Sequence, residues 1–194
     1  MRIVLYIFTF FIVMVLHTAK VGARKPPRRN SNHGQTTKKY NANHEFDKLC
    51  LQEHNKYRAI HQAPSLKINS TLYIFARSWA RRLAILDDTS NVTHRPGRDF
   101  GENIYWMTYS KQPYEQYATL AVNLWYDENK NYNYVFGGYS AATAHFTQLV
   151  WASTNTMGCG YDVSKKGTIF VVCNYNPHGN IPGAYQKNVK PPKS

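Results

Sequence analysis

Four residues carry groups that chemistry can use and stand where packing alone would not put them: His94, Glu102, Glu128 and His145. Glu102 lies in the strand-like run 100–106 among Phe100, Ile104, Tyr105 and Trp106, a costly place for a carboxylate without a partner. Glu128 comes four residues after Leu124 and three after Trp125, on the inward side of a helical pattern. His145 opens another helical pattern one turn ahead of Leu149 and is expected on its core side. His94 stands in a polar loop eight residues before Glu102. Two neutral imidazoles and two carboxylates can coordinate a divalent cation, most naturally zinc, or share protons at a cleft. There is no His-Glu-x-x-His run, and no cysteine pair is spaced for a structural zinc.

The elements that must position these groups are legible in the periodicity. Residues 45–61 read as a helix with Phe46, Leu49, Cys50, Tyr57 and Ile60 on its apolar stripe, ending before Pro64. His54 and Arg58 share a face of it and can clasp other elements, with His54 in a structural role. A second helix over residues 70–86 turns Leu72, Phe75, Ala76, Trp79, Ala80 and Leu83 inward and Arg77, Arg81 and Arg82 to solvent. A third, over residues 114–129, buries Tyr117, Ala121, Leu124 and Trp125. An aromatic loop, 131–139, leads to the helix of His145, where Thr143 is the expected N-cap and Phe146, Leu149 and Val150 form the stripe. Gly101 permits a close backbone approach in the strand of Glu102.

Cys159 and Cys173 lie 14 residues apart on two adjacent expected strands, so pairing them would close a hairpin in an oxidising compartment. A loop of that size is worth roughly 3 kcal/mol in the chain-entropy model. The third cysteine, Cys50, falls in the apolar pattern of the first helix and reads as a buried free thiol.

Residues 1–23 have the form of an export signal: Arg2, an apolar core over 3–16 broken by Thr9, and Val21-Gly-Ala23 as a small-residue cleavage site. That core is shorter than the ~18–20 residues that span a bilayer. Sequons at Asn69 and Asn91 agree with passage through the secretory pathway. The net charge is +13, and removing Arg2 and Lys20 with the signal leaves +11. Six of those positive charges fall in residues 24–43, before the first acid, Glu45, so this stretch reads as a disordered basic arm. Its expected partners are acidic glycans or an anionic membrane surface, and not nucleic acid. Residues 44–185 then form one domain, and residues 186–194 a basic, proline-containing tail.

His145-Phe-Thr-Gln-Leu-Val-Trp151 with Gly158-Cys-Gly160, and Val171-Val-Cys-Asn-Tyr-Asn-Pro-His-Gly-Asn180, resemble the two long signatures of the CAP superfamily. That superfamily comprises cysteine-rich secretory proteins, antigen 5 allergens and pathogenesis-related proteins of group one. His54-Asn-Lys-Tyr-Arg58 and Gly101-Glu-Asn103 resemble its two shorter motifs, and all four stand in family order. Order and loop lengths look closest to the Golgi-associated pathogenesis-related group. The resemblance implies an α+β fold, an α-β-α sandwich with helices on both faces of a small, mainly antiparallel sheet. It also implies a cleft in which His94 and His145 are the metal-binding pair and Glu102 and Glu128 line the site, and a disulfide corresponding to Cys159–Cys173.

The function expected is that of a secreted, non-enzymatic binding protein for a lipid, a sterol or another apolar ligand, or for an extracellular partner, in defence, reproduction or host interaction. Tyr105, Trp106, Tyr109, Tyr114 and Tyr117 are candidates to line an apolar groove. A hydrolase is the alternative, with His145 as general base oriented by Glu102 or Glu128. It lacks an evident nucleophile: six residues after Glu102, where a family relative carries a serine proposed to act, this chain has Thr108. A third reading makes the protein an interaction module retained on glycans by its basic arm.

Overall fold

The computed structural model describes residues 33–193, with side chains from residue 44 onward. The export signal, residues 24–32 of the basic arm and Ser194 lie outside the described residues. Helix α1 runs over His33–Ile60, so residues 33–43, expected in a disordered arm, are helical. After Gly34 no glycine or proline occurs until Pro64, and a helix once nucleated propagates cheaply through such a stretch.

The remaining elements are β1 (Lys67–Ile68), α2 (Ser70–Leu86), β2 (Gly101–Thr108), α3 (Tyr114–Asp127), a 3-10 turn (Glu128–Asn131), α4 (Ala144–Val150), β3 (Thr156–Val163), β4 (Thr168–Asn176) and α5 (Tyr185–Asn188). The strands form one sheet in the order β1-β3-β4-β2. It is antiparallel except for the two-residue β1, which pairs parallel to β3.

Side chains of β4 alternate between two cores, as the two-residue period of a strand requires. Ile169, Val171, Cys173 and Tyr175 join the larger core with α1, α3 and α4, while Phe170 and Val172 pack with Ala76, Ala80 and Leu83 of α2. The sheet is therefore sandwiched between helices, as expected. α2 lies very close to β3: a Cβ built on Gly158 would fall onto the Tyr73 backbone, and one on Gly160 would come within 2.6 Å of Arg77 Cα. The Asn69 side chain caps α2, its Oδ1 accepting from Thr71 N and Leu72 N at 2.9 and 3.2 Å.

Several inward faces differ from the expected ones. Ile60 is exposed, and the buried face of α1 carries Phe46, Asp47, Cys50, His54 and Arg58, with His61 following. Four of those six, Asp47, His54, Arg58 and His61, are polar or charged, so an apolar count underestimates the stripe. In α2, Tyr73 and Ala84 are buried while Phe75 and Trp79 are only partly so. In α3, Leu124 is 43% exposed, and Ala118 and Val122 share the buried face with Tyr117, Ala121 and Trp125.

Candidate functional site

A cleft of about 480 Å³ opens at the end of the sheet where β2 begins. His94, Glu102 and His145 all border it, joined by Gln148, His178 and Asn180. Glu102 is delivered by β2, whose paired register with β4 sets it opposite Asn174. Its side chain is wholly buried, yet its oxygens are satisfied. Oε1 bonds His94 Nδ1 at 2.8 Å and accepts from Arg95 N at 2.9 Å, with Arg98 Nε at 4.0 Å. With its amide oriented to satisfy both neighbours, Asn174 donates to Glu102 Oε2 at 3.3 Å and accepts from Ala76 N at 3.0 Å. The partner that an inward carboxylate demands is thus the loop 94–98 itself, and Glu102 is what holds His94 at the cleft.

Glu128 reaches the site by a different route. α3 ends at Asp127, and the 3-10 turn that follows carries Glu128 off the rotation that puts Leu124 in solvent. The carboxylate meets the start of α4: Oε2 accepts from His145 N and Phe146 N, both at 3.0 Å, and Oε1 bonds His145 Nδ1 at 2.7 Å. Two of the orphan N–H groups of a helix N-terminus and its partial positive charge are satisfied at once. Thr143, expected as the N-cap, makes no side-chain cap bond, and its hydroxyl donates to Ser140 O at 3.4 Å. A longer side chain from a sequence-distant turn does the capping in its place.

The other end of α4 is held by Arg58. Its guanidinium, fully buried, donates to Leu149 O, Trp151 O and Thr154 O at 3.0, 2.8 and 2.9 Å, and Nε donates to Pro64 O at 2.8 Å. Burial pulls Arg58 down to about 10. His54 is likewise buried, with Nδ1 on Cys50 O at 2.6 Å and Nε2 on Tyr175 Oη at 2.8 Å. Burial pulls it to about 4, with the positive Arg58 contributing, so it is neutral and structural. Asn103 Nδ2 donates to His145 O at 3.1 Å, and Asn180 Nδ2 to Ala144 O at 2.9 Å. α4, only seven residues long, is fixed from four directions, and His145 with it.

The outcome at the metal-type residues is a symmetric arrangement. Each cleft histidine has Nδ1 on a carboxylate oxygen, at 2.8 Å for His94 and 2.7 Å for His145. Since carboxylates accept and do not donate, Nδ1 carries the proton in the neutral ring and Nε2 is left with its lone pair. The side chains remain 47% and 34% exposed, so both rings stay reachable from solvent. His145 also stacks on Trp125, with ring centroids 6.2 Å apart.

Glu128 borders not the main cleft but an adjoining groove of about 270 Å³, lined also by Ile104, Tyr105, Trp106, Leu124 and Trp125. His145 is the partition between the two. Of the aromatics expected to line a groove, Tyr105 and Trp106 do so, whereas Tyr109, Tyr114 and Tyr117 stack among themselves and on Tyr161. Thr108 closes the far end of β2, opposite Thr168, six residues and on the order of 20 Å from Glu102. Gly101 is approached by the Gln148 side chain, not by backbone. The histidine that reasoning on spacing missed is His178, whose signal was present in the run 176–180 after β4.

Cys159 and Cys173 are paired directly across β3 and β4 and form a disulfide, and Cys50 is a buried free thiol. Asn91 is exposed in the loop before His94. No helix among the described residues is long and apolar enough to cross a membrane.

The chain matches the family model described as CAP, the cysteine-rich secretory protein family, over residues 51–175. It is 36% identical over 157 residues to the human Golgi-associated plant pathogenesis-related protein 1, covering 78% of this chain and 97% of that protein. It is 33% identical over 150 residues to the Secreted protein RBT4 of Candida albicans, covering 75% of this chain and 38% of that one. Among solved structures it resembles the crystal structure of NaASP2 with Zn2+, with a TM-score of 0.58 at 21% identity, covering 76% of this chain and 85% of that one.

Proposed function

The chain belongs to the CAP, or cysteine-rich secretory protein, family, and from that premise we propose that it is an exported binding protein whose cleft takes a divalent metal ion, zinc foremost, on Nε2 of His94 and His145. The observation that carries this reading is the pair of Nδ1–carboxylate bonds at 2.8 and 2.7 Å. A histidine that ligates a metal through one ring nitrogen typically donates the other to a carboxylate, which fixes the tautomer and raises the ligand's basicity. Glu102 and Glu128 serve that purpose here, so the residues present fit the ion. Among the described residues no group of three histidine, cysteine or acidic ligands gathers within 4.8 Å at this cleft, so the protein offers two nitrogens and leaves the other positions to water or a ligand. A zinc ion held there would polarise a bound water or ligand oxygen.

The adjoining groove supports a second element of the reading. Trp106 and Leu124 are 40% and 43% exposed at its rim, a suitable lining for an apolar ligand such as a lipid chain or sterol. A hydrolase is less well supported, because Thr108 stands at the wrong end of β2 to be activated by His145. Export is supported by relatives named as secreted proteins.

The test is zinc titration of the purified protein by calorimetry, with His94→Ala and His145→Ala alongside. One zinc per chain, lost in the double variant while the fold persists by circular dichroism, is the expected result. Binding that survives both substitutions would place the ion elsewhere and end the proposal.

A further inference from the structure

Away from the cleft, the inward face of α1 carries a second chemical cluster. Asp47 and Cys50, about one turn apart, face the β3–β4 hairpin at the Cys159–Cys173 disulfide. The three sulfur atoms lie within 4.8 Å of one another, and all three cysteines are fully buried. Asp47 is fully buried as well. Its Oδ1 accepts from Cys159 N at 2.6 Å, and its Oδ2 has no hydrogen-bond partner. A hairpin disulfide needs neither a third sulfur nor a half-satisfied acid beside it, and a buried polar atom without a partner is costly.

We propose that Cys50, Cys159 and Cys173 form a thiol–disulfide exchange centre in which Asp47 carries the proton. The Cys50 thiol gives its proton to the Asp47 carboxylate, and the resulting thiolate attacks one hairpin sulfur. A bond from Cys50 to that sulfur forms as the Cys159–Cys173 bond breaks. The released sulfur leaves with the electron pair and takes the proton back from Asp47. No electrons enter or leave, so neither oxidant nor reductant is required.

The surroundings suit the two partners to these roles. Burial, with Asp47 and Glu53 adding to it, pushes the Cys50 thiol well above the usual range, so it reacts only when a base takes its proton. Burial also pushes the Asp47 carboxyl up to about 7, where it both accepts and returns a proton near neutrality. The exchanged form ties α1 covalently to the sheet, about two turns before the Arg58 that clasps α4.

The test removes one hairpin cysteine at a time. Full-length Cys173→Ala and Cys159→Ala chains are held in a buffer of oxidised and reduced glutathione, the oxidised form supplying the two-electron oxidant, then quenched with acid and mapped by mass spectrometry of non-reduced peptides. Cys50 is expected to bond the remaining hairpin cysteine in at least one of them, exceeding its glutathione adduct by about tenfold at ~1 mM glutathione. Native-like circular dichroism with Cys50 still a free thiol or a glutathione adduct in both variants overturns the proposal. The unsubstituted protein supplies a check independent of whether the variants fold. Held near pH 8 and quenched, it should yield peptides linked through Cys50, forming about tenfold more slowly in Asp47→Asn. Their complete absence, or an unchanged rate in Asp47→Asn, counts against the exchange centre.

Discussion

Replacing Glu128 by glutamine preserves the length and shape of the side chain but inverts what it offers His145. Glu128 now accepts three hydrogen bonds, from His145 N, Phe146 N and His145 Nδ1. A glutamine has one acceptor oxygen and one donor amide. If the oxygen keeps the two backbone N–H groups, the amide faces Nδ1, which must then accept, and the ring proton moves to Nε2. The opposite orientation would leave two N–H groups of a largely buried helix end without an acceptor, a worse outcome. Two charge-assisted backbone bonds become neutral ones at roughly 1 kcal/mol each, a total near 2 kcal/mol. In a protein of this size that lowers the unfolding midpoint by about 4–8 °C. The larger effect is on the ligand nitrogen: with Nε2 protonated, zinc affinity should fall by about 10–100-fold. Calorimetric titration gives the affinity, and 15N-resolved NMR of the imidazole gives the tautomer. A glutamine variant that binds zinc within about threefold of the parent with Nδ1–H retained would refute the carboxylate's assigned role.

Arg58→Met should cost about 3–5 kcal/mol in urea unfolding, because four carbonyls, of Pro64, Leu149, Trp151 and Thr154, lose their donor; a loss below about 1 kcal/mol would show that water replaces it. Gly158→Ala should destabilise by about 3 kcal/mol or more, since the new methyl group collides with the Tyr73 backbone; near-parent stability would mean that α2 can move off the sheet. Asp47, raised to about 7, binds its proton more tightly folded than unfolded, so its contribution to stability is lost as pH rises from 3.8 towards 7. His54, lowered from 6.5 to about 4, does the reverse, adding stability as pH rises through that window. Asp47→Asn should therefore leave the rise from His54 unopposed and gain on the parent between pH 4 and 7, by at most about 4 kcal/mol; parallel denaturation curves for the two across that range would contradict it.

The helices and the hairpin could be read from the chain because their signals are local. Residues 70–86 carry an uninterrupted 3.6-residue apolar period, and the helix spans Ser70–Leu86. The inward face of α1 was harder, since Asp47, His54 and Arg58, with His61 just beyond the helix, are polar and only their buried partners make them core residues. A hydropathy pattern values Ile60 above Arg58. The reverse burial follows from four carbonyls that converge on the guanidinium from Pro64 and from the stretch 149–154.

At the site, residue identity told which groups could act, and an acid among aromatics at Glu102 was itself a sign that a partner existed. The identity of the partner was not local. His94 and Glu102 are eight residues apart and their pairing could be suspected, but Glu128 and His145 are separated by 17, and no periodicity links them. The 3-10 turn that follows α3 decides where Glu128 points, and the four-way clamp on α4 decides where His145 stands. The chain by itself determined the chemistry available and the elements that carry it, because composition and period are properties of neighbours along the backbone. Which imidazole nitrogen faces the cleft, and which acid holds it there, was decided by tertiary structure, because hydrogen bonds between distant segments exist only once those segments have packed.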